Sequence, residues 1–488
     1  MRLRGVITIG AAILLSIPAH AQTFEQVLES AYKNHPRLSA ERERVREADE
    51  TFVQARALGR PTLGADIQAI PTVVRIPNDT FQPGLTGNTT EFIITRQAGV
   101  SVIQPLYTGG RVKASKRQAK AGILAARELL RDAEQGVLQA AANAYADTVR
   151  NAEAARIRRN NVSVLLRQKD AAQVRFDVGA GTRTDIALAD TRLAQAQVGL
   201  AQAEAALKSS LAALESATGI SASPSLSPVP PIAIPASLVD ARAIATSSNP
   251  QLRAALYNET AALAAIDIAR SQSKPQISLN GQVGFIREGL GGLRAAETAQ
   301  VTAQVTVPFY AGGANKSRVR QAQAARNRAV FESRDAERIV IENVNTLYAQ
   351  LEAANASIEA ARSQIAAAEI AFEGVELENE VGTRTALDVL DAEQELLEAR
   401  LIEVNAIQQR NLVTFQILAL LGAFDADSLS IATDYDADAY LRDILDNGVI
   451  DTGFDSFEDT ELELSPTLIG PANKLVTDTT PVTAQTGE

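Results

Sequence analysis

The same succession of short signatures occurs twice along the chain, and this repeat limits the architecture more than any other feature. Asn34-His35-Pro36-Arg37-Leu38, Gly59-Arg60-Pro61, Gln104-Pro105-Leu106-Tyr107-Thr108-Gly109-Gly110 and Gly181-Thr182-Arg183-Thr184 appear in order in the first half. Their counterparts are Ser248-Asn249-Pro250-Gln251-Leu252, Ser273-Lys274-Pro275, Val307-Pro308-Phe309-Tyr310-Ala311-Gly312-Gly313 and Gly382-Thr383-Arg384-Thr385. The offset is 214 residues at Pro36/Pro250 and Pro61/Pro275, 203 at Tyr107/Tyr310 and 201 at the Gly-Thr-Arg-Thr pair. The first copy therefore carries a longer loop between Pro61 and Tyr107. A period near 200 residues is too long for a solenoid and indicates a duplicated domain. The expected division is a first repeat over 22–223 (helix, two strands, long helix, hairpin, helix), a Pro-rich linker over 224–235 and a second repeat over 236–423.

Within each copy one long interval is free of proline: Tyr107 to Pro224, and Pro308 to Pro466. Both are rich in Ala, Leu, Glu, Gln and Arg, the strong helix formers. The plausible interruptions are Gly179-Ala180-Gly181 and Gly382. A helix from Gly110 to Gly179 would be roughly 100 Å long, a length that implies coiled-coil packing rather than a globular core. Alanine runs such as Ala140-Ala141-Ala142 let such helices approach closely.

Two segments per copy alternate instead with period 2. Leu63, Ala65, Ile67 and Ala69 alternate with Gly64, Asp66 and Gln68, and Ala98, Val100 and Val102 with Gln97, Gly99 and Ser101. In the second copy Ile277 to Phe285 and Val301 to Phe309 do the same. Alternation over about ten residues suits a membrane β-barrel with a polar lumen, and a half-buried soluble sheet equally. Tyr107 and Phe309-Tyr310, at the strand ends, fit an interfacial aromatic girdle. Four strands cannot close a spanning barrel, and an eight-stranded barrel is filled by side chains. Twelve strands from three chains is the first size that leaves a duct. The expected fold class is mixed α and β: long helices in coiled-coil packing plus a 12-stranded membrane β-barrel shared between subunits, four strands from each internally duplicated chain.

Composition removes whole classes of function. The chain has no Cys and two His, and His20 lies in an N-terminal segment expected to be removed. Thiolate chemistry is excluded, and His35, in Asn34-His35-Pro36, reads as a surface residue; no catalytic residue, metal ligand or cofactor is expected. Of the net charge of −11, residues 425–488 contribute −13 and residues 1–21 contribute +2, so the body is neutral and nucleic acid is not an expected partner. Arg2, Arg4, the apolar run Val6–Ile17 and Ala19-His20-Ala21 match a secretory signal over 1–21. The acidic stretch 424–488 reads as a solvated, partly disordered periplasmic tail. Its Asp434-x-Asp436-x-Asp438 is no EF-hand, because Ala439 and Leu445 occupy the positions that require Gly and Glu.

Together, Val381-Gly382-Thr383-Arg384-Thr385-Ala386-Leu387-Asp388-Val389-Leu390-Asp391-Ala392, the tyrosine-Gly-Gly sites and the duplication resemble the TolC-like outer-membrane efflux and secretion channel family. The resemblance covers most of 22–424. It implies a homotrimer in the outer membrane of a Gram-negative bacterium, in contact with outer-membrane lipid, whose 12-stranded barrel is continued into the periplasm by a long α-helical coiled-coil barrel. It implies a passive exit duct for a tripartite efflux pump or type I secretion system, with a periplasmic adaptor and an inner-membrane transporter of ABC, RND or MFS type as partners. It also implies a gate: Arg384 as the tie between helix pairs, Asp185 in Thr184-Asp185 as its acceptor, and Asp388 and Asp391 as acidic rings at the constriction. Asn379 stands where family members often carry a gate tyrosine.

The residues alone allow a local alternative. Thr385-x-x-Asp388 and Thr182-x-x-Asp185 both fit a capping-box start, and Arg384 could pair with Asp388. Asp391 is the acid that capping does not explain. A periplasmic coiled-coil scaffold or adaptor without its own pore remains the competing function.

Overall fold

The computed structural model describes residues 22–77, 88–221, 226–287, 295–433 and 435–447. The secretory signal, Asp434 and the stretch 448–488 expected as acidic tail lie outside the described residues. The first copy comprises α1 (Phe24–Asn34), α2 (Pro36–Ala57), β1 (Thr62–Pro77), β2 (Asn88–Tyr107), α3 (Arg111–Asp177) and α4 (Arg183–Thr218). The second comprises α5 (Leu238–Ser248), α6 (Pro250–Ser271), β3 (Gln276–Arg287), β4 (Ala295–Thr306), α7 (Ala314–Glu380) and α8 (Ala386–Leu420), followed by α9 (Ala439–Asn447). The Asn-x-Pro signatures explain why each copy opens with two helices rather than one. Pro36 starts α2 directly after the α1 cap at His35. Asn249 ends α5 and caps α6, accepting from the Leu252 amide with Pro250 in the first turn. No helix among the described residues is long and apolar enough to cross a membrane.

The chain folds into two compact units, each drawing segments from both sequence copies. The unit comprising 36–136, 234–348 and 417–488 holds the sheet. Its strands run antiparallel in the order β1-β2-β3-β4, so the central contact, β2 with β3, joins the two sequence copies. Register puts Ala65, Val100, Val283 and Ala299 in one row, and Asp66, Gly99, Gly284 and Thr298 in the next, on the opposite face. One face is thus apolar and exposed, with Ile67 at 87 % and Val301 at 74 %. The other is polar and tied across strands, as where Gln97 Nε2 donates to Gln68 Oε1 at 2.8 Å. β4 stops at Thr306. Val307 and Phe309, read as strand from their alternation, lie beyond it, because Pro308 has no N–H to donate. The equivalent Pro105 stays within β2 at the cost of an irregularity between Pro105 and Tyr107.

In the same unit the first part of the acidic stretch is folded. Asp425 pairs with Arg131 at 3.2 Å, and the Ala426 amide donates to Glu134 Oε1 at 2.8 Å. Tyr435 sits under Arg42, and Tyr440, on α9, donates to Glu50 Oε1 at 2.8 Å. The described start of the segment therefore docks on α2 through its aromatic rings. Asp438 pairs with Arg127 at 2.6 Å, and Arg127 also lies 4.0 Å from Asp49. Asp49 is fully buried and neither carboxylate oxygen has a hydrogen-bond partner. Burial, only partly offset by Arg127, pushes its pKa up to about 6. An acid whose folded pKa is raised stabilises the fold below its unfolded pKa, and that contribution is lost as pH rises through the folded value. Asp49→Asn is therefore expected to raise the thermal midpoint at pH 7.5, by the equivalent of about 2–3 kcal/mol, and to leave it unchanged at pH 3.5. Thermal unfolding at the two pH values checks this.

The unit comprising 1–35, 137–233 and 349–416 has an aromatic centre. Phe24 packs edge-on against Tyr145 and stacks on Phe415, with centroids 5.4 and 5.5 Å apart. Tyr145, fully buried, donates to Ser227 O at 2.7 Å in the Pro-rich connection. Its equivalent 203 residues later, Tyr348, donates to Pro235 O at 2.7 Å within the sheet-bearing unit. The described part of the connection is thus held by the same tyrosine of each copy, and burial raises the pKa of both phenols.

Candidate functional site

The residues expected at the gate and constriction, Thr184, Asp185, Arg384, Asp388 and Asp391, lie at or just after the two turns that join α3 to α4 and α7 to α8. Each turn closes its long helix in the same way. Gly179 and Gly382 take φ of +77° and +84°, a region open to glycine. Behind them the Ala180 amide donates to Arg175 O at 2.8 Å, and the Thr383 amide to Glu378 O at 2.9 Å. These are the long backbone bonds of a Schellman ending. Three residues after each glycine a threonine caps the next helix. Thr182 Oγ1 accepts from the Asp185 amide at 3.2 Å, and Asp185 Oδ2 accepts from the Thr182 amide at 2.9 Å. Thr385 and Asp388 repeat both bonds at 3.2 and 2.9 Å.

This geometry corrects the alignment of the two turns. The equivalent positions are Gly179/Gly382, Thr182/Thr385 and Asp185/Asp388, all at offset 203. The matching Gly-Thr-Arg-Thr tetrapeptides, at offset 201, are displaced by two residues and are not equivalent in structure. The reason is conformational: the turn needs positive φ at one glycine, and Gly179 supplies it where Gly181 does not. Thr184, matched to Thr385 by tetrapeptide, accordingly lies inside α4, and Thr182 is the cap.

Within the chain, Arg384 Nε donates to Glu378 Oε2 at 2.9 Å, so its ion-pair partner is Glu378 rather than Asp388. Asn379 donates to Arg384 O at 2.9 Å and thereby braces the turn backbone. Hydrogen bonds from Thr385, and more weakly the charge of Arg384, hold Asp388 below its usual pKa, so it stays ionised. Asp391 accepts from Arg192 Nη2 at 2.7 Å, a link from α8 to α4. Two further links join the hairpins: Asn161 Nδ2 to Glu393 Oε1 at 2.9 Å and Gln168 Nε2 to Glu376 Oε1 at 3.1 Å. Glu393 is buried, which raises its pKa. Beside these links Leu165, Leu193 and Leu390 form a buried cluster, with Val162, Leu188 and Ala196 packed against it.

Sequence reasoning missed Arg192, Glu378 and this leucine seam. No local pattern marks Arg192, whose partner lies 199 residues away. Among the described residues no group of His, Cys, Asp and Glu could hold a metal ion.

Two hairpins of equal long arms are capped alike and stitched by a leucine seam, and the same chain carries a four-stranded sheet whose faces differ in polarity. The outer membrane efflux protein family pattern matches residues 27–220 and 242–423, one match in each copy. The chain belongs to this family. The chain is 29 % identical to the outer membrane efflux protein BepC of Brucella suis biovar 1 over 431 residues, covering 87 % of this chain and 91 % of the relative. It superposes on the CmeC outer membrane channel of Campylobacter jejuni with a TM-score of 0.71 at 15 % identity, covering 88 % and 90 % of the two chains. It superposes on the outer membrane protein VceC of Vibrio cholerae with a TM-score of 0.69 at 19 % identity, covering 82 % and 96 %. The mixed helical and sheet fold is therefore that of the outer-membrane channels, the location is the outer membrane, and the protein transports rather than catalyses. Membership also decides against the poreless periplasmic scaffold.

Proposed function

We propose that three copies of this efflux protein form a closed 12-stranded barrel continued by their long helices, a passive exit duct gated at the α3–α4 and α7–α8 turns. The observation that carries the reading is the open sheet. Within the chain β1 pairs with β2 alone and β4 with β3 alone, which leaves both edges without partners. In lipid every backbone polar group needs a partner, and pairing β4 of one copy with β1 of the next supplies them. The polar face would then line the lumen. Arg384 and Asp185 hold the inner turns, Asp388 and Asp391 form the cation-selective constriction, and a periplasmic adaptor with an inner-membrane transporter opens it. The duct serves a tripartite efflux pump or a type I secretion system, with the transporter selecting the cargo.

The absence of native cysteine makes a clean test possible. Single cysteines at Leu63, Ala65 or Ile67, paired with single cysteines at Ala299, Val301 or Ala303, are expected to crosslink in outer membranes and to give ladders that end at three chains. Ladders that are absent, or that continue beyond three, overturn the closed trimer. For the gate, Arg384→Ala frees Glu378 and loosens the turn, so single-channel conductance in planar bilayers is expected to rise about two- to fivefold over wild type, a modest change as befits an exposed ion pair. Unchanged conductance removes Arg384 from the gate.

A further inference from the structure

Positive charge is concentrated where the strands meet the helices. Residues 56–61, 107–120, 267–275 and 309–320 flank the helix end of the sheet. They hold twelve Lys and Arg and one acid, Asp267, in a body that is neutral as a whole. The duplication preserves this pattern. Arg56 and Arg60 match Arg270 and Lys274 at offset 214, and Lys113 and Arg117 match Lys316 and Arg320 at offset 203. All four equivalent positions are therefore basic in both copies. The helices themselves gain nothing from it: α3 and α7 have no acid in their first turn, whereas α4 and α8 have Asp185 and Asp388. Bases near a helix N-terminus, spaced four residues apart, oppose the helix dipole and repel one another.

The one acid is already shared. Asp267, on α6, accepts from Arg117 Nη2 on α3 at 2.7 Å and from Arg270 Nη1 at 3.2 Å. On the other side of the α6 end, Arg318 of α7 donates to neutral oxygens, Gln272 Oε1 at 3.0 Å and Asn315 Oδ1 at 3.1 Å. Lys274 lies against the Gly109-Gly110 turn, where a Cβ on Gly109 would come within 2.8 Å of its own Cβ. Lys113, Lys274 and Lys316 are exposed, and no carboxylate among the described residues pairs with them. With Asp267 counted, Lys113, Arg117, Arg270, Lys274 and Arg318 keep a net charge of +4. The aromatic rings stand on the sheet side of these bases. Tyr107 is opposite Ile277 on the apolar face, and Phe309 and Tyr310 are 93 % and 87 % exposed. From sheet to helices the order is thus apolar surface, aromatic rings, bases. That is the order of hydrocarbon, interface and headgroups across one leaflet. The first six residues of α3 or α7 rise about 9 Å, and a headgroup layer is about 5–8 Å deep, within reach of Lys and Arg stems.

We propose that this basic collar is a docking surface for anionic glycerophospholipid headgroups of the periplasmic leaflet. It rests on the reading that the sheet spans the outer membrane with its helices on the periplasmic side. Charge complementarity selects the occupant: clustered Lys and Arg beside a membrane surface attract anionic lipids over zwitterionic ones. The collar fixes the depth at which the barrel sits, with the aromatic rings at the interface and the bases among the phosphates.

Native mass spectrometry of the full-length protein, purified in detergent and offered equimolar phosphatidylglycerol and phosphatidylethanolamine, tests this. At low salt wild type is expected to retain the anionic lipid about tenfold better, a preference that shrinks as salt screens it. The triple variant Lys113→Gln, Lys274→Gln, Lys316→Gln is expected to lower the preference to about twofold, and the three Lys→Arg changes to keep it. Arg334→Gln with Arg338→Gln repeats the four-residue spacing about 27 Å further along α7 and is expected to leave it unchanged. Equal retention of the two lipids by wild type overturns the proposal, and that comparison needs no variant to fold. An equal loss in the Arg334/Arg338 variant reduces the effect to net charge and overturns the collar. Abolition of the preference by inorganic phosphate at the lipid's concentration overturns the lipid assignment in favour of a free-anion site. A failure of the membrane-channel reading shows itself separately, as loss of the protein from the outer-membrane fraction and of the strand-edge crosslinks.

Discussion

Asp391→Asn is expected to lower the cation preference of the reconstituted channel, and Arg192→Gln to raise it. The opposite signs follow from their 2.7 Å pair. Removing the Asp391 charge leaves Arg192 uncompensated at the proposed constriction, while removing Arg192 leaves Asp391 uncompensated. In the proposed threefold assembly either change would be multiplied by three around one axis, where a narrow low-dielectric throat would strengthen its effect on permeating ions. Side chains about one-third and one-half exposed make the pair worth roughly 0–1 kcal/mol to stability, so the change is expected in selectivity rather than folding. Reversal potentials in a potassium chloride gradient read it directly. Block by multivalent cations should follow the same order, weakest in Asp391→Asn and strongest in Arg192→Gln. If both substitutions move selectivity in the same direction, or neither does, the acidic throat lies elsewhere. Asp388→Asn provides the comparison, since Asp388 is already committed to the Thr385 cap and its loss should affect the α8 N-terminus as well.

The second large effect is expected at the leucine seam. Leu165, Leu193 and Leu390 are 5 %, 6 % and 4 % exposed and come from α3, α4 and α8, so truncating one opens a cavity shared by both hairpins. Leu390→Ala is expected to destabilise the hairpin contact by about 2–5 kcal/mol. The seam stands close to the Arg192–Asp391 link, one residue from it on each helix. Loosening it should therefore speed amide hydrogen exchange in 160–195 and 385–400 and increase the open fraction of the channel. Exchange confined to the sheet, with the hairpins unchanged, would remove the seam from the gate. Leu390→Met, close in volume, is expected to restore most of the protection.

Much of this molecule was legible in the order of its residues. The strands could be read because side chains alternate between two faces at every second residue, a period visible without any partner. The long helices follow from intervals without proline, and their ends from Gly179 and Gly382. The capping boxes were legible too, since Thr182 and Asp185, like Thr385 and Asp388, lie three residues apart. Even so, the matching tetrapeptides misplaced the equivalence of the turns by two residues. Letters repeat for reasons of descent or chance, but only one glycine in each turn adopts the positive φ that ends the helix.

What the tertiary structure decided is which distant groups meet. Arg192 and Asp391, Asn161 and Glu393, and the three leucines of the seam belong to segments far apart in sequence, and their pairing depends on how two long hairpins pack side by side. The acidic tail shows the same limit. Nothing in its composition marks the contacts of its described start, where Tyr435 and Tyr440 dock on α2 and Asp438 meets Arg127 beside the buried Asp49. The register of the sheet likewise set Arg96 opposite Arg287, a juxtaposition of two residues in different copies. Local periodicity determined the elements and the duplication of this efflux protein, because both are written in neighbouring residues. Its charge partners were settled only by packing, because the energy of an ion pair depends on a distance through space that sequence separation does not encode.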